Sequence, residues 1–303
     1  AATAAAVAAA APTFIATNAA NLDTMTQFAL VTLDASGEQS TVGNLTEVGG
    51  ILPNAAGVDA QRGTYAFLTL CPPPHFGTCV YAVYVANGTV AWNVHLAKGE
   101  VGENTRVDAE TGTVYMTVYT QSTKQTAFVA IDARTRAVTK LVDVGDDKVN
   151  VAVSAYNRKA RTLYVTVGLE NQRLLALSAA TKSVTHNVTV ANNVYVESMY
   201  YDDVGGKLYA WFATSSASGV LGVLEPSTGA VTPLFTAGTK YTANGGTMAV
   251  RHSVAYNFLL EMGEGGSLTP SWLVIDVSGN KGKLKSATTL AANQYPINFQ
   301  FLK

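Results

Sequence analysis

Along most of this chain, apolar and polar residues alternate in short runs with a period of two, the spacing of half-buried strands. Val, Tyr, Thr and Phe dominate the runs, and no stretch shows the 3.6-residue period of an amphipathic helix. Tight polar turns interrupt the runs at regular intervals. Six of them share one phrase: LDASGEQSTV (33–42), YVANGTVAWN (84–93), IDARTRAVTK (131–140), LSAATKSVTH (177–186), LEPSTGAVTP (224–233) and IDVSGNKGKL (275–284). Equivalent positions Ala35, Ala86, Ala133, Ala179, Pro226 and Val277 lie 46 to 51 residues apart.

A period of that length with only strands inside it predicts an all-β, six-bladed β-propeller of four antiparallel strands per blade. The clearest copy reads strand a as TRVDA (105–109), b as GTVYMTVYT (112–120), c as TAFVAIDA (126–133) and d as AVTKLVDV (137–144). Gly63, Gly112 and Gly206 fall at a–b turns, where a positive φ suits glycine. Asp34, Asp132 and Asp276 end strand c, where a carboxylate can bond its own turn. At the C-terminal end, QYPINFQFLK (294–303) reads as a strand a without a following b. Near the N-terminal end, TFIATN (13–18), FALVTLD (28–34) and STVGNLTEV (40–48) supply b, c and d. The last blade is therefore expected to close from both ends of the chain. Residues 12–303 form one propeller domain in this reading, and Ala-rich residues 1–11 form a tail.

The stretches LYVTV (163–167), ETGTVYMTV (110–118) and EPSTGAV (225–231) resemble the six-bladed propellers with YVTN-like and NHL-like repeats. The resemblance spans nearly the whole chain and implies an architecture. It implies no activity, because one such fold carries many functions. The sialidase-type Asp box, the Trp-Asp of WD repeats and the YWTD tetrapeptide are absent.

Charged residues make up 14% of the chain and the formal net charge is −1, against about 25% charged in ordinary soluble domains. With no basic cluster, nucleic acid is not an expected partner, and no apolar run reaches the roughly 18 residues of a membrane span. Cys71 and Cys79 are too few for a zinc site even with His75 between them. Their spacing suits a disulfide closing a b–c loop, which is a bond of oxidising compartments. Three N-x-S/T sequons, at Asn44, Asn87 and Asn187, agree with that. Asn44, Asn93 and Asn187 align in strand d, while Asn87-Gly88 reads as a two-residue c–d hairpin turn. Residues 1–11 lack the basic start of a signal peptide, and the expectation is a processed, secreted chain.

Candidate chemistry is sparse. His75, His95, His186 and His252 fall in separate blades or loops and do not converge. Asn104, Arg106, Asp108, Asn150, Glu197, Arg251 and Asn298 are placed around the central channel, and Asp146 and Asp147 in a d–a loop. Six-bladed propellers of the lactonase type hold calcium there on oxygen ligands. Glu197 with Asn104, Asn150 and Asn298 is a partial version of that set. No cofactor and no catalytic residue is expected. Asp202 and Asp203 read as a solvated turn, and Trp92, Trp211 and Trp272 as packing between blades.

The expected function is a secreted, glycosylated, non-catalytic structural or adhesive module of an extracellular assembly. Copies would associate through residues 1–11. The alternatives are a calcium-dependent hydrolase of the lactonase kind and a carbohydrate-binding propeller.

Overall fold

The computed structural model describes residues 12–302 apart from 22–25, 47, 73–76, 147–148, 169–170, 192–193, 215–218, 238–240, 243–247 and 263–266. The tail, His75 and Asp147 thus lie outside the described residues.

Six antiparallel sheets form, each beginning at an inner strand a and ending at an outer strand d. Blade I runs through Ile51–Asp59, Thr64–Leu70, Thr78–Tyr84 and Val90–His95. Blade II runs through Glu100–Val107, Thr113–Thr120, Gln125–Asp132 and Val138–Gly145. Blades III and IV repeat the order over 149–189 and 194–236. In blade V the inner strand comes in two pieces, Tyr241–Thr242 and Met248–Arg251, both paired with Val254–Met262. Blade VI takes its inner strand from Tyr295–Phe301 and its other three from Phe14–Asn21, Thr26–Leu33 and Gln39–Asn44. The expected closure from both ends is present.

Strand b shows why these sequences pack as blades. Its side chains alternate between the two flanking blades, so both faces are buried and the strand reads as a nearly continuous apolar run. In blade I, Tyr65 and Phe67 face blade VI, whereas Ala66 and Leu68 face blade II. Six apolar clusters result, one for each contact between neighbouring blades. At the seam, the Phe14 ring lies 4.9 Å from Tyr256, 5.5 Å from Trp272 and 4.8 Å from Phe301 between centroids. It ties blade V to both segments of blade VI.

Each outer strand carries a β-bulge, at Val42, Ala91, Leu141, Thr185, Leu234 and Lys285. Bulges increase local twist and blunt an open edge against further pairing. The c–d turns also lean on the outer strand of the preceding blade. Gly229 of blade IV sits so close to Thr189 of blade III that any side chain there would collide with its carbonyl, and Ala191 N donates to Gly229 O at 3.1 Å.

Candidate functional site

Antiparallel order puts the a–b and c–d turns on one face of the ring and the b–c and d–a connections on the other. Strand a ends at the first of these faces, and four of its turns are built alike. Asp59, Asp108, Asn157 and Asp202 occupy one position, each five residues ahead of the start of strand b. All four are buried, Asp59 at 2% exposure and Asp108 and Asp202 at 3%. Their side-chain oxygens accept from turn amides: Asp59 from Gln61 and Arg62, Asp108 from Glu110, Asn157 from Ala160, Asp202 from Val204. Four residues on, each turn crosses into positive φ, at Gly63, Gly112, Arg161 and Gly206. Only the third blade places a non-glycine residue there. Blade V departs from the pattern with a two-residue turn, His252-Ser253, both at positive φ.

At this face lies a cavity of about 390 Å³ to which every blade contributes; Gly57, Val107, Tyr156, Asp202, Val250 and Gln300 mark the six stretches. Two residues before the capping position stand Gly57, Arg106, Ala155 and Tyr200 in successive blades, all lining the space. Two side chains in that ring are small and two are large and polar. Arg106 is 8% exposed. It donates Nη1 to the Thr105 carbonyl at 3.0 Å and Nη2 to the Ser154 carbonyl of blade III at 2.6 Å. Burial lowers its pKa to about 10, against the pull of the Tyr200 and Tyr65 phenols, so it stays a cation at neutral pH.

Burial also pushes the Tyr200 phenol up, helped by Asp203 and Asp202 and opposed by Arg106 and Arg251. Tyr200 therefore stays protonated, between the two aspartates and the two arginines. Arg251, half-buried, lies 5.5 Å from the centre of the Phe301 ring, within cation–π range.

At the rim, side chains link the turns of blades I to IV. Arg62 Nη1 lies 2.7 Å from Asp59 Oδ2 and donates to the Thr111 carbonyl at 3.2 Å. Arg158 stands 3.7 Å from Glu110 and 3.8 Å from Asp203, whose Oδ1 accepts from Arg158 N at 3.1 Å. Burial raises the Asp203 pKa, helped by Asp202 and Asp108 and opposed by Arg158. The expectation of a solvated Asp202–Asp203 turn is thus corrected for Asp202, which is buried as a cap, whereas Asp203 is exposed at the cavity edge and paired with Arg158.

Of the channel candidates, Arg106 and Arg251 meet at this cavity. Asn298, at φ 60°, donates Nδ2 to the Leu52 carbonyl at 2.7 Å and joins blade VI to blade I. The Asn104 amide donates to Thr117 Oγ1 at 3.5 Å. Glu197 is the extra residue of an inner-strand bulge. The Asn150 side chain lies outside the described residues. Sequence reading missed Glu103, the buried bulge residue equivalent to Glu197, and it missed Tyr200 and Arg158. Counting back from the repeated Asp or Asn of the a–b turn finds Glu103 and Tyr200, because both hold fixed offsets from it.

The three tryptophans are buried. Trp211 donates to Asn257 Oδ1 at 2.7 Å and Trp272 to the Ala35 carbonyl at 3.2 Å. Cys71 and Cys79 are disulfide-bonded across the b–c loop of blade I, Cα atoms 5.2 Å apart, on the face away from the cavity. His95 stands near those sulfurs, but as a disulfide they offer no thiolate to a metal.

On the rim, Asn44 and Asn187 are exposed, each two residues past its blade's bulge, and Asn93 holds that position in blade I. The Asn187 amide oxygen accepts from Arg173 at 3.1 Å. Asn87 is exposed, and its Oδ1 accepts from Thr89 N at 3.0 Å and Thr89 Oγ1 at 2.8 Å. The turn around it is longer than two residues: strand c ends at Tyr84, strand d begins at Val90, and Gly88 N bonds the Tyr84 carbonyl. Gly88, at positive φ, provides the G1-type bulge that such a longer loop needs. This turn rests on Gly43, where a Cβ would come within 2.6 Å of the Asn87 carbonyl. The Asn44 and Asn87 sequons of blades VI and I are therefore neighbours.

No family model matches the sequence, and no curated protein does. Solved structures match the fold. The chain is similar to one in the crystal structure of a nidogen/laminin complex, with TM-score 0.67 and 10% identity, covering 96% of this chain and 98% of that one. It is similar to TolB from Acinetobacter baumannii, with TM-score 0.67 and 13% identity over 96% of this chain and 66% of that one. A prolyl endopeptidase aligns with TM-score 0.52 and 13% identity, over 93% of this chain and 43% of that chain. The protein is thus a six-bladed β-propeller. At these identities the likeness shows the fold alone.

Proposed function

We propose that the protein is a secreted, glycosylated, non-catalytic propeller, serving as a structural or adhesive module of an extracellular assembly. The observation that carries this reading is the placement of the three sequons. Asn44, Asn87 and Asn187 all stand exposed on the outer rim, two of them at one repeat position next to an open strand edge. A glycan there covers the edge and keeps a chain with few charges in solution. The disulfide fits an oxidising compartment, and the propellers of similar shape include one from a protein–protein complex. Within the cavity, the tyrosine phenols are pushed away from neutral pH, which suits binding better than proton transfer. Copies join through residues 1–11, whose small side chains allow close approach to an exposed strand edge of a neighbour. A contact of that kind runs head to tail and builds rings or filaments.

Two measurements on protein from its natural source test the reading. Glycopeptide mapping is expected to show sugar on Asn44 and Asn187; three unmodified sequons would refute the glycoprotein. Deleting residues 1–11 is expected to leave single propellers on a sizing column, and assembly that survives the deletion would remove the tail as the link.

A further inference from the structure

The cavity at the a–b face has a chemistry that the rim does not share. Arg106 stands between Gly57 and Ala155, the small residues at its level in the flanking blades, and all three line the cavity. A side chain at Gly57 is excluded by its neighbour, because a Cβ there would come within 2.7 Å of Val107. The neutral carbonyls of Thr105 and Ser154 hold two of the guanidinium nitrogens in a fixed direction. Arg251 brings a second cation to the same space, laid over Phe301, while the third, Arg158, is paired with Asp203. Tyr200 adds a protonated phenol within the field of both inner arginines.

Arg106, Arg251, Tyr200 and the Arg158–Asp203 pair line one half-open cavity with the single further carboxylate of Asp202. This surplus of cations favours a planar oxyanion, because the fork of Arg matches a carboxylate. The aromatic ring beside them gives the body of such a ligand an apolar surface. About 390 Å³ lies near the small end of ligand cavities, enough for a small organic acid or one inserted acidic side chain.

We infer that the channel mouth at the a–b face is a binding site for a carboxylate group, held between Arg106 and Arg251 with Tyr200 as donor. The carboxylate enters from the face opposite the disulfide, and the outer rim, with its sequons, takes no part. The site stands whether or not the tail polymerises the protein.

The test titrates the full chain by calorimetry at low salt with four probes: succinate, inorganic phosphate, acetyl-Gly-Asp-Gly-amide and its Asn counterpart. Saturable binding of succinate or of the Asp peptide is expected, with the Asn peptide at least roughly tenfold weaker, as for loss of a charge-assisted bond. Succinate alone binding identifies a free acid as the natural form; the Asp peptide binding identifies an acidic side chain. Arg251→Gln is expected to weaken binding by about tenfold while the melting temperature holds. Arg106→Lys, which keeps the charge but loses the fork, is expected to weaken it less. Equal binding of the Asp and Asn peptides, preference for phosphate, an unaffected Arg251→Gln, or no binding by any probe would overturn the inference.

Discussion

A blade's a–b turn and its c–d turn are built alike, yet they stand in different surroundings. Both begin with a side-chain oxygen that accepts from amides two or three residues on: Asp59, Asp108, Asn157 and Asp202 inside, Asp34, Asp132 and Asp276 outside. Four residues on, the chain crosses into positive φ at all four inner turns, among them Gly63 and Arg161, and outside at Arg136 after Asp132 and at Lys182 after Ser178, whose Oγ accepts from Thr181 N. The inner caps are buried next to residues that line a cavity; outside, Asp34 and Asp132 are exposed and Asp276 is half-buried. One local solution thus serves two ends. Outside it only reverses the chain, whereas inside it also fixes the side chains two residues earlier, among them Arg106 and Tyr200, at the mouth of the channel.

The largest expected difference lies in the caps themselves. Asp108→Ala strips a partner from Glu110 N and from the Tyr156 hydroxyl, which donates to Asp108 Oδ2 at 3.2 Å. Leaving buried donors unpaired costs about 1 to 3 kcal/mol. Asp132→Ala exposes the same kind of amides to water, and its loss in urea titrations should be less than half as large. Equal losses would show that burial does not separate the two sets.

A smaller effect is expected at the left-handed positions. Lys182, at φ 52°, should gain up to about 1 kcal/mol on replacement by Gly, because only Gly holds that conformation without strain. Arg161 holds the equivalent inner site at φ 50° and donates Nη2 to the Tyr115 hydroxyl at 3.0 Å. Its replacement by Gly gives up that bond, so the net change should be near zero. Thermal melts of the two variants distinguish the positions.

The finest contrast is in titration. Turn amides and hydroxyls lower the pKa of Asp132 and Asp276 below 3.8, as they do that of Asp34 against slight burial. These three contribute stability that is complete above pH 3.8 and lost only as the pH falls through their lower folded values. Asp203 is shifted the other way by burial. Its charge disfavours the fold at neutral pH, and that cost disappears as the pH falls through its raised value toward 3.8. Carboxyl NMR should therefore show Asp203 titrating above the three outer aspartates. A common midpoint would erase the distinction between inner and outer turns.

The architecture was legible in the sequence because a strand buried on both faces leaves a dense apolar run, as in TLYVTV (162–167), and the turns around it must repeat. The ring at the channel mouth was legible in principle, since Arg106 and Tyr200 keep a fixed offset from the repeated turn residue. What the pattern could not show is which polar side chain faces the axis and which bonds the next blade. Asn298 reads as a channel residue until its positive φ turns the amide onto the Leu52 carbonyl. Nor does adjacency in sequence separate Asp202 from Asp203: one is enclosed by its own turn, the other faces a neighbouring arginine.

The seam of blade VI sets a clock on folding. Thr17 Oγ1 donates to the Ile297 carbonyl, 280 residues further along the chain, and Phe14 pairs with Phe301. Blades I to IV are sequence-local hairpins that can form as the chain emerges, but this contact waits until residue 297 has been made. Contacts of such separation slow folding, since loop closure is met before the contact rewards it. Until then, the edge of Phe14–Asn21 that Tyr295–Phe301 covers has nothing to pair with. That interval is when the nascent chain is most open to capture by another copy or by a chaperone.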